Sequence, residues 1–534
     1  LGDVYKRQVT GSCHFLQAAG LNILVDCGME QGNDVYENQE LPIAASDVDC
    51  ILLTHAHIDH SGLIPLMYVN GFRGQVYSTS ATAQLCEIML RDSAHIQMFE
   101  AEWRNRKAAR SGGKLKEFVP LYDMDAAVNV CKQFVGCEYD RVYDIAEGIK
   151  IRFTDVGHLL GSASIEVWAT EKTENGDVTE KIVFSGDIGN INKPIIKDPK
   201  HVRDADYVVM ESTYGNRSHG GTPNYVEDLT DIFKRTFERG GNVVIPSFAV
   251  GRTQELLYII RKIKEDNLVG RDFDVYMDSP LAIEATNIFI KNVESCFDDE
   301  AVELVRKGIN PLTFPGLKYA TTGDESKQIN FDPNPKVIIS SSGMCEAGRI
   351  RHHLKHNLWR PECTIVFVGY QAVGTTGRII VDGAEEIKLF GEPIQIKAEI
   401  VQLQGSSGHA DKDGLLCWIN AFDRKPKKVF VVHGEDSVCD EFTECLKEEY
   451  GYDAMAPYTG GSYDLIADRV ISEGVKERKT RRTTSTQRGK TVFDRLVAAG
   501  KRLMTVITHN EGGTNKDLAK FTDQINALCD KWDR

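Results

Sequence analysis

Residues 54–62 read T-H-A-H-I-D-H-S-G and place His55, His57, Asp59 and His60 within six positions. They follow residues 51–54 (ILLT), a short apolar run of the kind a buried strand leaves. On an extended segment residues i and i+2 point the same way, so His55 and His57 can grip one ion. Asp59 and His60 follow at a loop-to-helix turn and can grip a second ion alongside. Imidazole plus carboxylate, without thiolate, is a ligand set that suits zinc in a hydrolytic site. Three further candidates stand at strand ends: His158 in D-V-G-H-L-L-G-S-A, Asp187 in F-S-G-D-I-G, and His433 in V-V-H-G-E. A carboxylate such as Asp187 can bridge two ions and set their spacing near about 3.5–4 Å.

The elements that must position these groups are legible as periodicity. In the first half, residues 22–26 (NILVD) and 51–54 are short buried strands, and residues 81–103, free of Gly and Pro, are helical. Residues 165–168 and 181–187 flank a polar stretch with Asn175-Gly176, a hairpin signal that would bring His158 and Asp187 together. From about residue 214 strands and helices alternate. Residues 242–246, 273–277, 337–340 and 364–368 read as buried strands, and 251–264 as an amphipathic helix, which implies a mainly parallel sheet covered by helices. Residues 428–432 form one more strand, ending at His433. Residues 473–490 are basic and nearly free of apolar side chains, hence a linker. Residues 491–507 and 515–532 read as two amphipathic helices, candidates for a homodimer contact. Residues 1–8 (LGDVYKRQ) do not lead naturally into a strand. We expect them to be a remnant of cloning or assembly, with the first strand missing or overwritten.

Composition narrows the class. The chain has 534 residues, 42% hydrophobic and 26% charged, enough for several buried cores. It has no apolar run of 18 residues and no apolar leader, so no membrane partner is expected. The 13 cysteines are odd in number and form no C-x-x-C pair, which argues against a disulfide framework or thiolate zinc finger and for a reducing cytoplasm. A net charge of −15 counts mildly against nucleic acid, but a local basic groove is compatible with it.

H-x-H-x-D-H with the later His, Asp and His resembles the metallo-β-lactamase superfamily, whose fold is an αββα sandwich with metals at one edge. Asp26, ending N-I-L-V-D-C-G, matches its first motif, which implies a carboxylate holding a ligand imidazole rather than the metal. The second half is similar to the β-CASP nucleases. E-S-T-Y-G at Glu211, P-S-F-A-V-G-R-T-Q-E-L-L at 246–257 and D-S-P-L-A at 278–282 carry the likeness. So do S-S-G-M-C-E-A-G-R-I-R-H-H-L at 341–354, V-G-Y-Q-A-V-G-T-T-G-R at 368–378 and S-G-H-A-D at 407–411. The resemblance implies an α/β domain inserted into the sandwich: residues 9–212 and 396–466 as the metallo-β-lactamase domain, 213–395 as the β-CASP domain, 467–534 as linker and helical extension. It implies Glu211 as motif A, His409 as motif B and His433 as motif C. Histidine at motif C marks the RNA-cutting members.

The expectation is therefore a two-zinc ribonuclease acting on single-stranded RNA. His55, His57, His158 and Asp187 would hold one zinc; Asp59, His60, Asp187 and His433 the other. Manganese is the alternative metal, since these ligands accept both. A bridging water would lose its proton and attack phosphorus. His409, kept cationic by Glu211, would protonate the leaving oxygen. Ser407, Gly408 and Gly343 would present backbone N–H groups to phosphate. The competing readings are a DNA nuclease of the same superfamily, a non-catalytic RNA-binding scaffold, and a small-ester hydrolase or oxidoreductase of the fold. His433, the complete ligand set and His57 argue against them in turn. Residues 369–376 lack the Lys of a phosphate loop, and His352 and His356 lack the Glu of H-E-x-x-H, so neither is read as a site.

Overall fold

The computed structural model describes residues 2–5, 11–30, 41–110, 118–174, 176–218, 220, 224–403, 407–476, 492–510 and 514–532. Two sheets face each other across an apolar core. In the first, Leu21–Val25, Cys50–Leu52, Gln75–Thr79 and Phe134–Cys137 run parallel in succession, and Cys13–Ala18 pairs antiparallel with Leu21–Val25. In the second, Ile149–Asp155, Ala163–Thr173 and Gly176–Phe184 form an antiparallel meander that continues in parallel into Tyr207–Glu211 and Lys428–Val432. Alternate side chains from both, among them Ile23, Val25, Leu52, Phe153, Ile165, Val167, Phe184, Val209 and Val432, fill the space between. The other faces of these strands bury Leu24 and Ile51 under helix Ser80–Arg110, and Val208 and Val431 under Lys412–Ile419 and Asp436–Glu448. This is an αββα sandwich.

Strand Gly2–Tyr5 corrects the expectation of a missing first strand at the N-terminus. It pairs antiparallel with Cys13–Ala18 and meets Ser462 on its other side, so it is part of the first sheet. Pairing is a backbone property, and a side-chain pattern is a poor guide to it at four residues. The linker signal at 477–490 lies outside the described residues.

Between Tyr207–Glu211 and Lys428–Val432 the chain builds a second domain. Its six strands run in the order Leu317–Tyr319, Asp274–Asp278, Lys336–Ser340, Val243–Pro246, Thr364–Val368 and Glu399–Leu403, every pair parallel. Such strands are covered on both faces and read as continuous apolar runs. Val243 and Ile245 pack toward Phe233 and Leu257, while Val244 packs toward Leu354 and Phe367. Glu399–Leu403 closes this sheet by pairing parallel with Thr364–Val368. Its short, partly exposed run gave no strand signal; pairing with Thr364–Val368 recruits it.

Helices Val492–His509 and Asn515–Trp532 close the described chain. The first is docked: Thr505 Oγ1 lies 3.1 Å from Ser46 Oγ and donates to Asp47 at 3.1 Å. All 13 cysteines are free thiols. Among the described residues no helix is long and apolar enough to cross a membrane.

Candidate metal centre

The chemistry-bearing residues leave their strands at one rim of the sandwich. Asp26 follows Leu21–Val25, His55 to His60 follow Cys50–Leu52, His158 follows Ile149–Asp155, Asp187 follows Gly176–Phe184, and His433 follows Lys428–Val432. Asp26 and His433 both take left-handed backbone, φ 61° and 50°, which aspartate tolerates and histidine adopts under constraint. Asp59 and His60 sit in the one-turn helix Ile58–Ser61.

The donor atoms fall into two groups that share Asp187. His57 Nδ1 is 3.0 Å from His55 Nε2 and 3.2 Å from His158 Nε2. Asp187 Oδ2 is 3.4 Å from His55 Nε2 and 3.6 Å from His158 Nε2. Asp187 Oδ1 turns the other way, 3.2 Å from His60 Nε2 and 3.4 Å from His433 Nε2. Asp59 joins His60 and His433 in the second group. The edge of a zinc tetrahedron with ligands at about 2.0–2.2 Å is about 3.4 Å, so these separations fit a shared cation. His60 Nε2 and Asp187 Oδ1 are buried and lack hydrogen-bond partners among the described residues. Unpaired polar atoms in a core are costly unless something charged completes them. The donor set fits zinc.

Electrostatics agree. Burial, with neighbouring imidazoles, holds His57 and His158 well below the ordinary histidine range, leaving their lone pairs free. Burial opposes the Asp187 charge, yet His433, His60 and His55 hold its carboxyl well below normal. Burial also disfavours cationic His60, but Asp187 and Asp26 lift it well above normal; a cation held at Nε2 would compete with that proton. Burial pushes the Asp59 carboxyl up, against His60; a divalent cation reverses that.

In His60, His433 and His158 the ring nitrogen not aimed at the cation sites is held. Asp26 Oδ2 accepts from His60 Nδ1 at 2.7 Å, and Thr54 donates its N–H and hydroxyl to the same carboxylate. Ser12 Oγ lies 2.8 Å from His433 Nδ1. His158 Nδ1 donates to Gly408 O at 3.0 Å, and a Cβ on Gly408 would meet that ring at 3.3 Å. Such partners fix ring orientation and basicity.

His409 stands beside the ligands and is partly exposed. Its Nδ1 lies 3.2 Å from both Glu211 oxygens and 3.9 Å from Asp187 Oδ2. Burial opposes its charge, but Glu211 and Asp187 raise its pKa to about 9. Asp187, Glu211 and His409 also form a donor triple, but hydrogen-bond lengths to Glu211 assign Nδ1 a proton. Its loop is pinned by Ala410 N donating to Ile188 O at 2.7 Å. Gly343 packs against Phe248 in the inserted domain, and its carbonyl accepts from Gln371.

Three domains are matched in order: Metallo-beta-lactamase superfamily over residues 15–190, Beta-Casp over 253–380, and Zn-dependent metallo-hydrolase RNA specificity over 393–457. Ribonuclease TTHA0252 of Thermus thermophilus is 35% identical over 431 residues, 80% of this chain and 91% of that protein. Transcription termination factor FttA of Methanosarcina mazei is 32% identical over 466 residues, 84% of this chain and 69% of that protein. The chain belongs to the zinc-dependent β-CASP ribonuclease family of the metallo-β-lactamase superfamily.

Sequence reading of this β-CASP ribonuclease missed Thr54, Ser12 and a charged strut between the domains. Lys193 Nζ donates to His158 O at 3.0 Å and pairs with Glu255 at 3.4 Å; Glu255 pairs with Arg252 at 2.7 Å. Lys193 and Glu255 are buried. The strut ties the His158 loop to helix Arg252–Glu265 of the inserted domain. Breaking it from one side strands buried charge. Glu255→Ala is expected to destabilise the chain by about 3–5 kcal/mol, and Lys193→Met/Glu255→Met by clearly less. Denaturant unfolding of both variants checks this, and equal losses would contradict it.

Asp155 gives a pH-dependent case. Burial pushes its carboxyl up to about 7, against the Gly157 N–H that donates to it at 3.0 Å. The folded value exceeds the ordinary 3.8, so the stability contribution is full below 3.8 and lost as pH rises through about 7. Asp155→Asn keeps an acceptor for Gly157 and removes the titration. Its advantage over the parent should grow by about 2–3 kcal/mol from pH 5 to pH 8. A stability difference that is flat across this range would contradict the assignment.

Proposed function

We propose that this chain hydrolyses phosphodiester bonds of single-stranded RNA with two zinc ions. The carrying observation is the Asp187 carboxylate, whose two oxygens face separate imidazole groups and whose Oδ1 makes no hydrogen bond of good geometry among the described residues. His55, His57, His158 and Asp187 are assigned to one ion; Asp59, His60, Asp187 and His433 to the other. Manganese is accepted by the same donors. When bound, such a pair supplies a water acidified to near neutrality and offsets charge on phosphoryl oxygens.

The protein's own groups do the rest. Asp26 and Thr54 orient His60, and the Gly408 carbonyl orients His158. Glu211 accepts from His409 Nδ1 and keeps that ring cationic, so Nε2 can give a proton to the leaving oxygen. Ser407 and Gly408 lie on the loop that carries His409, beside where a phosphate would enter. The inserted domain meets the His158 loop through Lys193 and Glu255, and a substrate path walled by both domains would favour a single strand over a duplex.

Thirteen free thiols support a reducing cytoplasm. Exposed Leu496, Met504, Leu528 and Trp532 of the C-terminal helices are assigned to a homodimer, which light scattering checks. The deciding experiment compares 5′-labelled single-stranded RNA with the same DNA sequence, zinc or manganese present, beside His57→Ala/Asp59→Ala. RNA cleavage lost in the double variant is the expected result. Cleavage of DNA alone would overturn it, and the product ladder separates internal from terminal cutting.

A further inference from the structure

The turn after Tyr207–Glu211 carries more than Glu211. Ser212 N and Thr213 Oγ1 donate to His433 O at 3.3 and 3.2 Å, fastening the turn to a metal-candidate loop. Gly215 leaves no room for a side chain, since a Cβ there would lie 2.8 Å from Phe442. Further on, Lys412 N donates to Arg217 O at 3.0 Å and Ser218 Oγ to Asp413 at 2.7 Å. The segment is therefore held from both ends.

Between those anchors Tyr214 presents its ring edge-on to His409, with centroids 6.1 Å apart. The Arg217 guanidinium lies over the Tyr214 ring, 4.5 Å from its centroid. Arg217 is exposed and, among the described residues, forms no ion pair with a carboxylate. In a chain of net charge −15 a cation placed this way asks for an explanation. A stacked guanidinium is positioned by the ring while its N–H edge stays free, the arrangement that suits a phosphate. The order outward from the cation sites is His409, Tyr214, Arg217.

We propose that Tyr214 and Arg217 form a nucleotide subsite on the leaving-group side of the scissile bond. Arg217 binds the next phosphate, and the Tyr214 ring supports the guanidinium and the adjoining nucleoside. The subsite rests on the reading of His409 as the proton donor in a ribonuclease, because that places the leaving strand on this side.

The test pairs a protein change with a matching substrate change. The metal-loaded full chain is assayed on an RNA cut at one position and on the same RNA with the next leaving-side phosphate replaced by an uncharged methylphosphonate. Arg217→Ala should raise KM by about tenfold with kcat within about twofold, and Arg217→Lys should recover part of the loss. The methylphosphonate should cost the parent enzyme a similar factor and Arg217→Ala nothing more. The slope of log KM against log salt should fall by about one in Arg217→Ala. Tyr214→Ala should reproduce part of the Arg217→Ala effect. Equal methylphosphonate penalties in parent and Arg217→Ala would overturn the subsite, as would a loss confined to kcat. A parent enzyme that cuts no RNA would instead remove the ribonuclease reading, and the subsite with it.

Discussion

Asp187→Ala is expected to lower RNA cleavage by at least about 10⁴-fold and to strip at least one metal ion from the purified chain. Among the described residues no other side chain is shared by both donor groups. Its Oδ2 faces His55 and His158, and its Oδ1 faces His60 and His433. Losing it removes an anion from the first group and from the second at once, and with it the element that sets their spacing. Loss of one peripheral imidazole leaves the opposite group intact. Asp26→Asn is the informative contrast. That carboxylate touches Thr54 and the outward nitrogen of His60 rather than a cation site, so about 10–100-fold is expected, with metal retained at saturating zinc. Metal analysis beside the cleavage assay separates the two. If Asp187→Ala kept two metals and full turnover, the shared-carboxylate arrangement would be wrong.

How much of this was legible beforehand follows from what each feature depends on. The donors at 55–60 share one short segment after a buried strand, and local spacing plus the period of the strand suffices to expect them together. His158 and Asp187 were reachable because the Asn175-Gly176 hairpin signal joins their strands. Joining His409 and Glu211, 198 residues apart, to the site needed the family resemblance, since nothing local predicts that contact. Thr54 was visible only as a strand end, and its grip on Asp26 depends on parallel pairing of Leu21–Val25 with Cys50–Leu52. Ser12 adjoins a segment set aside as foreign. Lys193, Glu255 and Arg252 carry no motif that announces a strut, because its meaning lies in how two domains meet. Gly408 was read through its N–H, whereas its carbonyl makes the contact with His158. His352 and His356 caught attention by spacing, but it is His353 between them that is buried, its Nε2 donating to Asp278 at 2.6 Å.

The second large effect concerns proton delivery. His409→Ala should lower kcat by about 10²–10⁴-fold while leaving metal content and RNA affinity near the parent's. The imidazole is placed for this by Glu211, which is buried and receives the Ile188 and Thr213 N–H groups as well as His409 Nδ1. With Nδ1 engaged, Nε2 is the nitrogen left to serve the substrate. Burial disfavours the charged ring, yet Glu211 and Asp187 hold its pKa up at about 9 in the metal-free protein. A raised value sets the sign: the donor is competent below its pKa and is lost as pH rises through it. Bound cations shift the basic limb of the rate profile to or below about 9, and that limb should vanish in His409→Ala. Glu211→Gln should keep the hydrogen bond but not the charge, and move the limb to lower pH. A purely binding role for His409 predicts something different, a raised KM with the limb retained. Substitution of sulfur for the bridging oxygen on the leaving side separates the two most sharply. A thiolate leaves without protonation, so that substrate should bring His409→Ala to within about tenfold of the parent if the ring is an acid. If it only grips a phosphate oxygen, the sulfur substrate should show the same deficit as the oxygen one.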